Sequence, residues 1–363
     1  NKYISKGERS ITKEGLANSS AKIVPKNSIL LTSRAPIGYL AIADNEACTN
    51  QGFKSLVVNS TKADFNFVFY LLKANMETIK SFGTGTTFTE ISASVVRNLK
   101  FSFPSLPTQT AIAEILSSLD DKIELNNQIN KDLEALAQAL FKQWFIDFEF
   151  PNENGEPYKS SGGEMVDSEL GEIPKGWEVK QLKDFVNCYD NKRVPLSSRE
   201  RAIRKGSYPY YGAASLMDYV DDYLFDGIYV LMGEDGSVTD ANGYPVLQYV
   251  FGQFWVNNHA HVLQGTTIST ELVMCLLKNT NISHLVTGAV QPKLNQGNMN
   301  KISLAIPNDL NILNSLEMNI KSIYESVRNN TQENQELTLL RDTLLPKLIS
   351  GELEVADIMA EKA

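Results

Sequence analysis

The feature that most constrains this chain is an internal repeat. Residues 84–104, TGTTFTEISASVVRNLKFSFP, align without gaps on residues 287–307, TGAVQPKLNQGNMNKISLAIP, at an offset of 203. Thr84-Gly85 falls on Thr287-Gly288 and Ile91 on Leu294, while Leu99, Phe101, Phe103 and Pro104 fall on Ile302, Leu304, Ile306 and Pro307. Each copy ends in an alternating apolar strand stopped by proline, and a long helical pattern follows, 108–146 and 310–349. The organisation is a tandem duplication: globular unit, long helix, linker, globular unit, long helix. A length of 363 residues suits two such domains.

The two helical patterns share a heptad seam. Positions 109, 112, 116, 119, 123, 126, 130, 133, 137, 140 and 144 read Gln, Ile, Leu, Leu, Ile, Asn, Asn, Leu, Ala, Leu, Trp, and adding 204 gives a second seam from Leu313 to Leu348. Two amphipathic helices buried on separate domains would also show apolar stripes. Matched polar layers at Asn126, Asn130, Asn330 and Asn334 favour pairing of the helices, because a polar residue in an apolar seam is tolerated best opposite another. An antiparallel pair satisfies both layers when Asn126 faces Asn334 and Asn130 faces Asn330. The same register sets Leu119 against Arg341, whose guanidinium is expected to snorkel outward.

A linker rich in Gly, Pro, Ser and Asn (150–170) and the stretch GEIPKGW separate the copies. The resulting segments are 1–104, 105–149, 150–170, 171–307, 308–350 and a tail, 351–363. The second unit has about 110 residues ahead of the aligned block against 83 in the first. Some 30 residues, including a counterpart of GEIPKGW, are therefore expected to be missing from the start of the first unit.

Hydrophobic residues at 42% and charged residues at 21% describe a folded, soluble chain, and no stretch has the apolar length of a membrane span. Cys48, Cys188 and Cys275 stand far apart, which argues against a disulfide framework and for a cytoplasmic setting. The net charge of −9 is misleading about partners. Residues 105–170 hold thirteen acidic and four basic side chains, which accounts for all of it, so the flanks are neutral and have room for basic patches.

Four stretches then carry a resemblance: GEIPKGWEVKQL (171–182), YPYYGAASLMDYVDDYLFDGIYVLMGEDGS (208–237), TSRAPIGYLAIA (32–43) and CTNQGFKSLVV (48–58). In this order, with the duplication, they resemble the target-recognition domains of type I restriction–modification specificity subunits. The two long helices resemble that family's central and distal spacer regions. The resemblance covers nearly the whole chain. It implies an α+β protein with two repeated target-recognition domains joined by two long antiparallel coiled-coil-like helices. It also implies a non-catalytic subunit that reads a split double-stranded DNA target, one domain per half. Two methyltransferase subunits would dock on the helices and restriction (translocase) subunits would join them. S-adenosylmethionine, ATP and Mg would belong to those partners, with no cofactor in this chain.

Candidate DNA-binding residues follow from charge and side-chain chemistry. In 191–206, Lys192, Arg193, Arg199, Arg201, Arg204 and Lys205 oppose a single acid, Glu200, and Tyr208, Tyr210 and Tyr211 come next. Such cations neutralise phosphates, and arginine takes guanine bidentately. A charge run is as often a solvated loop, and Asp218, Asp221, Asp222 and Asp226 lie close by in sequence. In the first unit Thr32, Ser33 and Arg34 precede a Pro–Gly turn whose counterpart by motif order holds Glu234 and Asp235. Both also fit an ordinary hairpin. Asn50, Gln51 and Lys54 correspond roughly to Asn258, His259 and Val262, and amides match an adenine edge. Thr84, Thr86 and Thr87 in the repeat face Gln291 and Lys293 in the other copy, and His259 and His261 complete the set.

Signals of catalysis are weak. The chain has no GxxxxGK[ST] loop and no NPPY-like tetrapeptide, SFGTGTT (81–87) sits in a repeat whose other copy reads LVTGAVQ, and EVK (178–180) lacks a Pro-Asp partner. His259 and His261 fall on one face of a predicted strand. With no third ligand evident in the sequence, no metal site is expected. Two other readings fit parts of the pattern: the recognition half of a fused restriction–methylation enzyme, and a coiled-coil interaction protein that binds no DNA.

Overall fold

The structure, a computed structural model, describes residues 2–84, 89–288 and 290–356. The chain divides into two compact units, Asn1–Gln128 with Asn330–Ala363, and Ile129–Asn329. Each unit takes in part of both long helices.

In the first unit β1 (Tyr3–Ile4), β2 (Ile29–Ser33), β3 (Ile37–Ala43) and β4 (Phe53–Leu56) form one sheet in the order β1-β3-β2-β4. The β1–β3 pair is parallel and the others are antiparallel. The run Ile29-Leu30-Leu31 is buried on both faces, as a central strand requires. The helix Phe65–Ala74 covers the sheet. It starts at Asp64, whose Oδ1 accepts from the Phe67 amide at 2.9 Å, a cap that contributes about 1 kcal/mol. Phe67, Tyr70 and Leu71 from this helix meet Ile29, Leu31 and Ile42 in the core.

In the second unit β5 (Trp177–Gln181), β6 (Val186–Cys188), β7 (Lys205–Tyr211), β8 (Leu216–Val220), β9 (Phe225–Gly233), β10 (Leu247–Val256), β11 (Ala260–Gly265) and β12 (Ser303–Pro307) appear in chain order. Six of them form a sheet in the order β6-β11-β9-β10-β7-β8, and β5 pairs separately with β12. The helix Thr270–Lys278, capped by Ser269 Oγ on the Leu272 amide (3.2 Å), is buried along nearly its whole length.

The sheets are two versions of one design. Strands β4-β2-β3-β1 match β11-β9-β10-β7, including the single parallel pair: Tyr3 lies opposite Ile42 as Tyr210 lies opposite Trp255. The second unit adds β6 and β8 at the two edges.

The long helices run Leu106–Phe141, extended by a π-helical turn Lys142–Ile146, and Leu310–Ser350. They pair antiparallel within each unit. In the first, Asn126 Nδ2 donates to Asn334 Oδ1 at 2.9 Å and to Glu333 Oε2 at 2.7 Å, while Lys122 Nζ donates to Asn126 Oδ1 at 2.9 Å. Asn126 is fully buried, so these bonds replace the water its amide gives up. Leu116, Leu345 and Leu348 pack below this polar layer. Arg341 departs from the sequence expectation. It turns inward and binds Asp120 Oδ1 at 2.6 Å, and Asp120 Oδ2 also accepts from Tyr70 O–H at 2.5 Å. A bound carboxylate holds the guanidinium where an apolar neighbour alone would have expelled it. In the second unit Asn130 Nδ2 lies 3.4 Å from the Val327 carbonyl, and Leu316, Ile320 and Tyr324 join Ala137 in the core. Asn330 is the first residue of the second helix assigned to the first unit. Among the described residues, no helix is long and apolar enough to cross a membrane.

Candidate nucleic-acid interface

Each unit presents the end of a central strand, a tight turn, and a returning segment of the sequence repeat. In the first unit β2 ends at Ser33 and the chain turns through Arg34, Ala35 and Pro36, with Ala35 at φ 49°. Backbone bridges join Arg34 to Glu90 and Thr84 to Glu90, and the Ile91 amide donates to Ser33 O at 2.9 Å. Ser33 Oγ donates to Gly52 O (3.1 Å) and accepts from Lys54 Nζ (3.0 Å), which also binds Glu90 Oε1 (3.2 Å). Thr32 Oγ1 accepts from the Tyr39 amide and Asn50 Oδ1 from the Gly52 amide, both at 2.8 Å. Those oxygens brace the turns, while Asn50, Gln51 and Thr84 remain exposed. Thr86 and Thr87 lie outside the described residues.

The second unit repeats this geometry with other side chains. Bridges join Asp235 to Lys293 and Thr287 to Lys293, and the Leu294 amide donates to Glu234 O at 2.8 Å. Gly236, at φ 72°, occupies the place of Ala35. Ser33 thus matches Glu234, Arg34 matches Asp235, and Glu90 matches Lys293. Glu234 lies 2.7 Å from Arg193 Nη1 and 3.6 Å from Lys293 Nζ. Asp235 Oδ1 lies 2.5 Å from His259 Nδ1. Gln291 is exposed beside them in sequence.

Strand pairing corrects one alignment made from the sequence. Lys54 lies opposite Leu31 and His261 opposite Met232, two residues before Ser33 and Glu234 respectively. Asn50 Oδ1 caps the Gly52 amide as Asn257 Oδ1 caps that of His259. Asn50 therefore matches Asn257 and Lys54 matches His261, one residue away from Asn258 and Val262. In a strand a slip of one residue exchanges the two faces, so the correction decides which side chains share a site.

The basic stretch is less available than its composition suggests. Glu200 is spent in a capping box with Ser197, whose side-chain and backbone hydrogen bonds hold its carboxyl below the usual range. Arg201 binds Leu196 O at 2.6 Å and Asp218 at 3.4 Å and stacks on Tyr210; Arg204 binds Asp221 at 2.8 Å and stacks on Trp255; Lys205 binds Asp218 at 2.5 Å. Arg193 is half-buried against Glu234, Asp190 and the Ala260 carbonyl. Tyr210 is internal, its hydroxyl accepting from the Leu196 amide at 2.9 Å, and Tyr211 is half-buried against Phe254. Of the six cations, Lys192 and Arg199 are exposed and, among the described residues, enter no ion pair. Lys192 lies over the Tyr189 ring at 4.8 Å. Nearby carboxylates and aromatic rings thus hold four of the six cations.

His261 is likewise buried and does not reach the surface. Its Nε2 lies 2.8 Å from Leu294 O, which can only accept, so Nε2 carries a proton. Nδ1 then faces Asp190 Oδ2 at 2.5 Å. Burial disfavours the Asp190 carboxylate, but His261, the Val262 amide and Arg193 outweigh it and hold its carboxyl below the ordinary range. Cys188 joins Asp190 and His261 in the one group of metal-ligand type found among the described residues, a third ligand that sequence spacing did not reveal. Arg193 stands 3.4 Å from Asp190, and burial pushes the Cys188 thiol up to about 12.

Sequence reasoning missed Glu90, although its repeat partner Lys293 was singled out and the offset of 203 points straight to it. It also missed Asp190, whose role depends on a contact 71 residues away that no local pattern announces.

Two α+β units that share strand order, bridges and turn, and that differ in the side chains displayed there, define a duplicated recognition protein. The model of the type I restriction modification DNA specificity domain matches residues 1–135 and 174–339. The chain belongs to that family. The type I restriction enzyme MjaIX specificity subunit of Methanocaldococcus jannaschii is 32% identical, over 98% of this chain and 84% of that protein. The HindI specificity subunit of Haemophilus influenzae is 25% identical over 93% and 89%. Among solved structures, the S subunit of a type I restriction–modification system from M. genitalium matches at a TM-score of 0.54 and 20% identity, covering 90% of this chain and 84% of that one.

Proposed function

We propose that this chain reads a bipartite double-stranded DNA target, one half-site per unit, as the non-catalytic specificity subunit of a type I restriction–modification enzyme. The observation that carries the reading is the pair of equivalent turns with opposite chemistry. The first shows Arg34 bridged to Glu90, and the second shows Asp235 bridged to Lys293. Arginine donates to guanine and carboxylates accept from cytosine amino groups, so the two turns suit different base edges. Asn50, Gln51, Thr84, His259 and Gln291 extend the two surfaces, with Lys192 and Arg199 on phosphates.

The long helices favour docking of partners. Leu125 and Leu136 on the first and Met318 and Leu339 on the second are exposed, Met318 at 69% and Leu339 at 70%. Apolar residues left on a helix otherwise rich in charge suit a protein interface. Methyltransferase subunits dock there in this reading, restriction subunits join them, and those partners carry S-adenosylmethionine, ATP and Mg. The test is a domain exchange. Replacing residues 1–104 by the corresponding domain of another member, and sequencing methylated sites in a host that also makes the methyltransferase, should change one half of the target and leave the other. A change in both halves would overturn the one-domain, one-half-site reading.

A further inference from the structure

The second unit carries a hairpin beside its turn that the first unit lacks. Strand β7 ends at Tyr211, the Gly212 amide donates to Ser215 O at 2.9 Å, and the chain returns as β8 from Leu216. Residues 5–12, which follow the matching strand β1, form no strand. At the start of β8 the hairpin shows solvent an apolar side chain, Met217, which is 51% exposed.

Met217 is tied to the polar residues of the turn. Its Sδ lies 3.5 Å from Asn257 Nδ2, and the side chain folds over Gly212, where a Cβ would come within 2.5 Å of the sulfur. Asn257 is buried, and its Oδ1 accepts from the His259 amide at 2.8 Å. His259 Nδ1 lies 2.5 Å from Asp235 Oδ1, and Asp235 is bridged to Lys293. The hairpin is also held from the strand side. Gly212 O accepts from Gln248 Nε2 at 2.9 Å, and the neighbouring Leu247 lies opposite Met232, just before the turn. One buried amide thus joins an exposed thioether to the imidazole and carboxylate of the turn.

The polar members of this group suit donors and acceptors on base edges, and a thioether does not. Methionine offers a flexible, polarisable apolar surface. In the major groove the unmodified base pairs display one apolar group, the 5-methyl of thymine. We infer, resting on the DNA reading proposed above, that Met217 is a specificity-determining residue of the second unit. Its ligand is the 5-methyl group of a thymine in the half-site that Asp235 and His259 read.

The test titrates the full chain, with its methyltransferase subunits, onto duplexes bearing the target found by sequencing methylated sites. Each thymine of the second unit's half-site is replaced in turn by deoxyuridine, which lacks only the methyl group. One replacement should raise Kd about three- to fivefold, the equivalent of burying one methyl group. Met217→Ala should raise Kd for the thymine duplex by a similar factor and make binding indifferent to that deoxyuridine. Replacements in the other half-site should act on the variant as they do on the unaltered chain. Met217 is half-exposed, so the variant should keep the fold, and its urea midpoint by tryptophan fluorescence checks this. No sensitive thymine in that half-site, or a sensitivity that survives Met217→Ala, would overturn the inference and leave the reading of DNA by this unit standing. Loss of the methyltransferase subunits from the Met217→Ala complex would also overturn it, by assigning the residue to a protein contact. Absence of specific binding by the unaltered chain would overturn both.

Discussion

The turn after β2 and the turn after β9 are built on the same bonds and filled with different chemistry. In both, the residue after the turn's second position needs a positive φ, and a backbone bridge ties the turn to the repeat segment. Around this frame the first unit places a buried serine together with an arginine, a lysine and a glutamate that are partly reachable. The second places a glutamate, an aspartate, a buried histidine and a lysine, and braces them from behind with Arg193 and Asp190. Backbone geometry persists between copies because it depends on strand order. The displayed side chains differ because only the frame is constrained by folding.

The largest expected difference between the sites is energetic. His261→Ala leaves the buried Asp190 without its closest side-chain hydrogen-bond partner, and should cost the second unit about 3 kcal/mol. Lys54→Ala breaks a partly exposed pair with Glu90 and should cost about 1 kcal/mol. Trp144, Trp177 and Trp255 all lie in the second unit, so tryptophan fluorescence in urea reports that unit, and exchange of the β2 amides reports the first. Equal losses would mean that the two sites are not braced differently.

The turn residues give a smaller effect of opposite sign. A Cβ at Gly236 meets nothing within 4 Å, so Gly236→Ala isolates the strain of positive φ and should cost about 1–2 kcal/mol. Ala35→Gly removes that strain but frees the unfolded chain, and should stabilise by less than about 1 kcal/mol. Urea midpoints of both variants check the pair.

Acid should separate the units as well. The Asp190 carboxyl is depressed in the folded state, so its contribution is whole above the ordinary carboxylate range near about pH 4 and is lost as pH falls from there through the depressed value. Tryptophan-monitored stability of the second unit should therefore fall in that window, and Asp190→Asn should flatten the fall.

The smallest effect concerns phosphate contacts. Lys192→Ala and Arg199→Ala should each reduce the log–log salt slope of DNA binding by about 0.9. Arg201→Ala and Arg204→Ala should leave the slope alone and lower stability, since their guanidinium groups are held by Asp218 and Asp221. A slope that drops with Arg204 and not with Arg199 would reverse this assignment.

How much was legible beforehand varies along the chain. The duplication, the two long helices and the polar seam positions could be read directly, because repeats and heptads are properties of spacing. The Asn126–Asn334 bond lies on the residues that the seam singled out. The cationic stretch could be read only as composition. Asp218 and Asp221 reach Arg201 and Arg204 because β8 folds back along β7, and that pairing lies outside any local window. The match of Asn50 with Asn258 failed by one residue for a related reason, since strand register is fixed by cross-strand partners.

By itself the sequence determined the repeat, the family, the helix seam and the positions of both turns. All of these follow from patterns that recur at fixed intervals along the chain. Tertiary structure alone decided which charges are held in ion pairs, that His261 is braced by Asp190 and hidden, and that Arg341 turns toward Asp120. Those outcomes depend on distances between residues far apart in sequence. A charge acquires its role from whatever folding places within a few ångströms of it, and spacing along the chain does not carry that information.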